Sequence, residues 1–121
     1  MEAAHETLVR VCELARDFRT RNMSPIALIA ESGYRDHRDL IDVDRIARHV
    51  ASNPKLFGEW IAFSEDKRVS EGWYLKAQSA DGPFLVGYFK AGDALRKPDT
   101  YLDACEACAV YIKRELEALI R

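Results

Sequence analysis

The sequence predicts an α+β domain, mostly helical, with four N-terminal helices, one antiparallel β-hairpin and a long C-terminal helix. Three observations lead there. Apolar residues recur every three or four positions through the first half of the chain and again from Leu102 onward, which is the period of a helix with one buried face. Between Gly72 and Lys90 the pattern becomes aromatic and aliphatic, with Asp81-Gly82 in the middle, a strong short-range hairpin signal. The length, 121 residues with 48% hydrophobic and 31% charged, suits one domain spanning 1–121 that buries a core without staples.

The first helix is expected from Glu2 to about Thr20, with Leu8, Val11, Cys12, Ala15 and Phe18 on one face. Ser24-Pro25 opens the second, Ser as N-cap and Pro at the first helical position. That helix, IALIAES, is apolar nearly all round, which predicts deep burial, and Gly33 ends it. Tyr34 to Asp39 reads as a charged connection. Asp42 caps a third helix bearing Val43, Ile46, Ala47 and Val50. Asn53-Pro54 closes it and opens a fourth with Leu56, Phe57, Trp60, Ile61 and Phe63.

A two-residue turn at Asp81-Gly82 would pair Gln78 with Leu85, Lys76 with Gly87 and Tyr74 with Phe89. Paired residues share a face. Trp73, Leu75, Ala77, Phe84, Val86 and Tyr88 then form the core face. Tyr74, Lys76, Gln78, Leu85, Gly87 and Phe89 form a mixed face suited to a partner. A one-residue slip would exchange the two sets. A third strand could lie at 67–70, Gly92 to Pro98 reads as a loop, and Thr100 with Asp103 resembles a capping box. The last helix carries its seam on Leu102, Cys105, Ala109, Ile112, Leu116 and Leu119. The hairpin must lay its apolar face on helices, since a lone hairpin is marginal in water.

Composition removes several function classes. The 18 basic and 20 acidic residues give a net charge of −2 and are interleaved, so the basic stripe of a nucleic-acid binder is missing. A helix-turn-helix reading of Ile26 to Val50 would set Asp36, Asp39, Asp42 and Asp44 against phosphates. No run is long and apolar enough for a membrane helix, and the N-terminus lacks the pattern of a signal peptide. Together with three cysteines, an odd number that fits reduced thiols, this predicts a cytoplasmic protein with no membrane partner.

Catalytic motifs are also missing. Cys105-Glu-Ala-Cys108 is a CxxC, but it lies inside a helix rather than at the N-terminus that would favour a thiolate, so it reads as core packing. Cys12 could add a third zinc ligand, but no fourth is evident. His5, His37 and His49 have no metal spacing, and His37 sits in a solvated charged turn. No serine lies in GxSxG, and there is no P-loop and no GxGxxG. No catalytic residue, metal site or cofactor is expected.

The densest stretch is FSEDKRVSEGWY, Phe63 to Tyr74. As structure it joins a helix to a strand: Lys67 and Arg68 follow the last helical turn, where cations complement the dipole, and Trp73 enters the core. As a site, Trp60, Glu65, Asp66, Lys67, Arg68, Trp73 and Tyr74 would form a partner-binding cluster of the residue types favoured at interfaces. Adjacent Glu65 and Asp66 diverge by about 100 degrees on a helix, which argues against a catalytic pair.

FSEDKR followed by GWY, together with SPIALIAESGY and the NP-started helix, resembles a pattern in small bacterial proteins of unassigned activity, some of them similar to toxin-immunity proteins. The resemblance covers roughly Ser24 to Tyr74. It implies a single-domain, non-enzymatic inhibitor that binds a toxin domain stoichiometrically through a charged surface. Two other readings stand beside it. One is a small-ligand binder or enzyme with a pocket near Trp60, Arg68 and Tyr74. The other is a homodimer held by the C-terminal helix.

Overall fold

A computed structural model describes residues 3–66, 71–90 and 97–120. The helices are α1 (Ala3–Cys12), α2 (Leu14–Thr20), α3 (Pro25–Ser32), α4 (Tyr34–His37), α5 (Val43–Ser52), α6 (Lys55–Asp66) and α7 (Ala104–Leu119). The strands are β1 (Glu71–Ala77), β2 (Phe84–Lys90) and β3 (Asp99–Tyr101), in a three-stranded antiparallel sheet of order β1-β2-β3. Helices α6 and α7 pack on the sheet, and α7 also packs on α5. The α+β class holds, with more pieces than the sequence suggested.

The expected first helix is two. The Trp60 indole N–H donates to the Cys12 carbonyl at 2.8 Å, which diverts that acceptor from the helical ladder. The Arg16 N–H turns instead to the Glu13 carbonyl at 3.1 Å, and Glu13 takes φ −93, ψ 0. A side chain entering the i→i−4 ladder is a recognised cause of a helix break.

Helix α3 starts and stops as its sequence dictates. The Ser24 hydroxyl accepts from the Ala27 N–H at 3.1 Å, Pro25 is at the first position, and Gly33 takes φ 83, the left-handed conformation. Its burial is one-sided, however: Leu28 and Ile29 are buried while Ile26 is 55% exposed. The expected charged connection contains the one-turn α4, whose Tyr34 is fully buried. Asp42 caps α5 by accepting from the Arg45 N–H at 2.8 Å. Asn53 serves the end of α5 with its side chain, donating to the His49 carbonyl at 3.0 Å.

The hairpin loop is longer than two residues. The last strand pair is Ala77 with Phe84, Gln78 N–H donates to the Pro83 carbonyl at 3.1 Å, and Gly82 N–H donates to Ser79 at 3.0 Å in the turn. Tyr74 therefore faces Gly87 and Lys76 faces Leu85, a register two residues away from the expected one. A shift of two preserves the side-chain alternation, so both faces keep their expected members. Leu75, Phe84 and Val86 are buried on the core side.

The third strand is β3, beside β2, where Leu85 pairs with Thr100. The expected alternative at 67–70 and most of the loop at 92–98 lie outside the described residues. Because Thr100 is extended in β3, it cannot begin a capping box. Asp103 is itself the N-cap of α7, accepting from the Cys105 N–H at 2.9 Å. Leu102 precedes the helix and is 86% exposed. Ala109, Ile112 and Leu116 are buried as expected, and Ala107, Cys108, Tyr111 and Glu115 join them, because α7 is enclosed by α5 on one side and by α6 and the sheet on the other.

Candidate functional site

Of the seven residues expected to form one cluster, the five that the structure describes are dispersed. Trp60 is a correction: it is 0% exposed, packed edge-on to Phe18 at 6.2 Å, Phe63 at 5.8 Å and Tyr111 at 6.0 Å. With its N–H held by Cys12 it has no surface to offer a partner, and its role is packing. Trp73 lies on the core side of the sheet, edge-on to Tyr88 at 5.1 Å, with the Arg114 guanidinium 4.9 Å from its ring. Arg114 also pairs with Asp99 at 2.9 Å, so this group ties α7 to β1 and β3. Tyr74 lies on the opposite side. Glu65 is exposed, and Asp66 pairs with Arg19 of α2 at 3.1 Å. Lys67 and Arg68 lie outside the described residues.

Ser64, at the end of α6, has a task the sequence left unread. Its hydroxyl accepts from the Leu75 N–H at 2.8 Å, satisfying a donor on the outer edge of β1. Burial pushes the Tyr111 hydroxyl to much weaker acidity and the Glu115 carboxylate adds to this, with Ser64 opposing in part.

The remaining titratable clusters are built for cohesion. Tyr34 donates its hydroxyl to Glu117 at 2.5 Å, and Arg38 pairs with the other oxygen of the same carboxylate. Lys113 donates to the Arg38 carbonyl at 2.8 Å and stands 4.8 Å from the Tyr34 ring. Desolvation raises the Glu117 pKa, but hydrogen bonds from Tyr34 and Arg38 outweigh it and hold the carboxyl below its usual range. This group fastens α4 to the last turns of α7. Burial, with a small push from Glu13, raises the Cys12 thiol to about 12, and burial raises Cys108 further still. Of the CxxC pair, Cys108 is buried in the core and Cys105 is half-buried, its thiol also raised by burial and by Asp103. Among the described residues no group of three or more His, Cys, Asp or Glu side chains is arranged to hold a metal.

Surface hollows occur among the described residues. One, of about 420 Å³, lies between α1 and the α5–α6 corner and includes Glu13, Arg16, His49 and Lys55. Its Arg16 is already held by both oxygens of Glu59, at 2.9 and 3.2 Å. Another, of about 350 Å³, is lined by Asp44, Arg48, Asp103 and Glu106. The first hollow also holds Ser52 beside His49 and Glu13, but no hydrogen bond links these three side chains, so the nucleophile–base–orienter contacts of a catalytic group are not made there.

The outer face of the sheet stands apart. Helices α6 and α7 meet its other side, as the Phe57–Phe84 ring contact at 5.5 Å and the Arg114–Trp73 contact mark. On the outer side the residues form rows: Lys76, Leu85 and Thr100 in one, Tyr74 and Gly87 in the next, then Phe89 opposite Gly72. A side chain at Gly87 would begin 2.4 Å from the Tyr74 hydroxyl; the glycine leaves room for that ring to lie across β2. Phe89 is 46% exposed, and Lys76 and Thr100 are exposed. Strand alternation had already put Tyr74, Lys76, Leu85 and Phe89 together; only Thr100, from the unforeseen β3, is added. No family model, curated protein or solved structure matches the chain.

Proposed function

We propose that the protein is a non-enzymatic protein-binding module whose contact surface is the outer face of its sheet, and that its target is a toxin domain, which it neutralises as an immunity protein would. The observation that carries the binding reading is that face: Tyr74, Leu85 and Phe89 with one charge, Lys76, and no helix laid over it among the described residues. Aromatic enrichment with few charges is the compositional mark of an interface core. The toxin target rests on the resemblance of FSEDKR and GWY to segments of immunity-like proteins. The rival pocket near Trp60, Arg68 and Tyr74 loses support because Trp60 is enclosed in the core while Tyr74 lies across Gly87 on the other side of the sheet.

The test is co-purification from host lysate with wild type and with a Lys76→Glu, Phe89→Ala variant whose circular dichroism matches wild type. One protein held at equal stoichiometry by wild type and lost by the variant supports the reading, and co-expression should then relieve that protein's toxicity. Equal retention by both, or by neither, overturns it. A doubled hydrodynamic mass that the variant reduces would favour the homodimer.

A further inference from the structure

The chemistry of the outer face narrows the kind of partner it fits, and this step rests on the protein-binding reading. Lys76 is central: Leu85 is directly across from it and Thr100 lies beyond. Tyr74 is two residues away on the same strand and shares the face. Among the described residues the Lys76 side chain makes no ion pair or hydrogen bond, which is also true of Arg45, Lys55, Lys90 and Lys97, while Arg16 is engaged by Glu59, Arg19 by Asp66, Arg21 by Glu31, Arg38 by Glu117 and Arg114 by Asp99. Lys76 differs in standing among Tyr74, Leu85 and Thr100 on the open sheet face. Covering the apolar residues around Lys76 would strip water from its ammonium, and a buried cation without a partner is strongly unfavourable. The strand positions of this face contain no carboxylate. Asp99 pairs with Val86 and so belongs to the core side, where Arg114 holds it.

We infer that the outer sheet face docks a partner protein presenting a carboxylate to Lys76 from within an apolar surround. A second copy is disfavoured by the same chemistry, because a two-fold contact must be self-complementary and this face offers a lysine with no acid to meet it. Nucleic acid is disfavoured because affinity for phosphates grows with the number neutralised, and this face supplies one cation. An anionic bilayer is held by clusters of several cations, and a single lysine gives it little hold.

The experiment selects a random linear peptide library displayed on phage against the full chain, maps the winners by amide chemical shift, and repeats the binding with Lys76→Gln and Lys76→Glu. Lys76 is exposed, so both variants should keep the wild-type circular dichroism. The expected winners hold Asp or Glu between aromatic or aliphatic residues and shift resonances of Tyr74, Leu85, Phe89 and Thr100. They should lose about tenfold or more in affinity with Lys76→Gln, the loss expected when one side of a desolvated charge pair is removed. Selection on Lys76→Glu should reverse the preference to Lys or Arg. Winners that map to this face without an acidic residue, and bind Lys76→Gln equally, overturn the carboxylate inference and leave the protein-binding reading standing. Winners that map only elsewhere overturn both. Self-association through this face, or binding of phosphatidylserine vesicles in place of any peptide, also overturns the inference.

Discussion

His49 sits where α5 meets α1, beside the hollow it shares with Glu13, Arg16 and Lys55. Burial first, and then the neighbouring His5, lower its pKa below the usual 6.5, with Glu13 opposing. The folded state thus binds this proton less readily than the unfolded chain does. Its contribution is complete above the unfolded value of 6.5 and is lost as pH falls from there through the lower folded value. Urea midpoints measured across that range should fall for wild type and fall less for His49→Gln; equal slopes would remove His49 as the cause. At this scale the sequence was legible wherever the physics is local. Ser24, Asp42 and Gly33 could be read as caps because each acts on neighbours within three residues or through its own φ. Trp60 could not, because its partner carbonyl is 48 residues away, and periodicity shows that a residue is apolar without showing whether it anchors a core or a partner.

The α1–α2 break shows how one such contact shapes an element. Local propensity favours a single helix through Glu13, and the tertiary hydrogen bond from Trp60 overrides it. Trp60→Phe should leave the Cys12 carbonyl without that donor and the site partly unfilled. A buried polar group losing its partner costs about 1–3 kcal/mol, so denaturant stability should fall by that order. The loss should be smaller if the Arg16 N–H returns to Cys12 and the two helices fuse, and backbone chemical shifts at Glu13 would report the fusion. An unchanged midpoint with unchanged shifts would show that the break has another cause. The hairpin teaches the complementary lesson. Its loop is longer than the Asp81-Gly82 signal suggests and its register lies two residues away, yet the two faces keep their members, because side-chain direction depends only on whether the offset is even. The candidate surface was therefore legible from alternation alone, while β3 was not: three residues, Asp99 to Tyr101, are too few to show a period.

Across the whole molecule, α7 is what both layers share. It contacts α3, α5, α6 and all three strands, which is why its burial spread beyond the single seam its spacing suggested. A helix enclosed on two sides leaves less of a polar stripe, and polar types such as Glu115 then sit inside, where pattern reading expects solvent. This placement makes a prediction about cooperativity. Ile112 is fully buried on α7, and Ile112→Ala should cost about 2–5 kcal/mol through lost transfer energy and the cavity left behind. If α7 couples the layers, that loss cannot stay local. Far-ultraviolet circular dichroism is dominated by the helices, whereas the fluorescence of Trp73 reports the sheet and that of Trp60 the helical core. The transitions seen by the two methods should coincide in wild type and move together in the variant, the signature of one cooperative unit. Should the fluorescence transition move while the helical one stays, the sheet is an appendage to an independently stable helical layer. The outer face would then be carried on a unit that opens separately, and its affinity for any partner would fall by the fraction of time spent open.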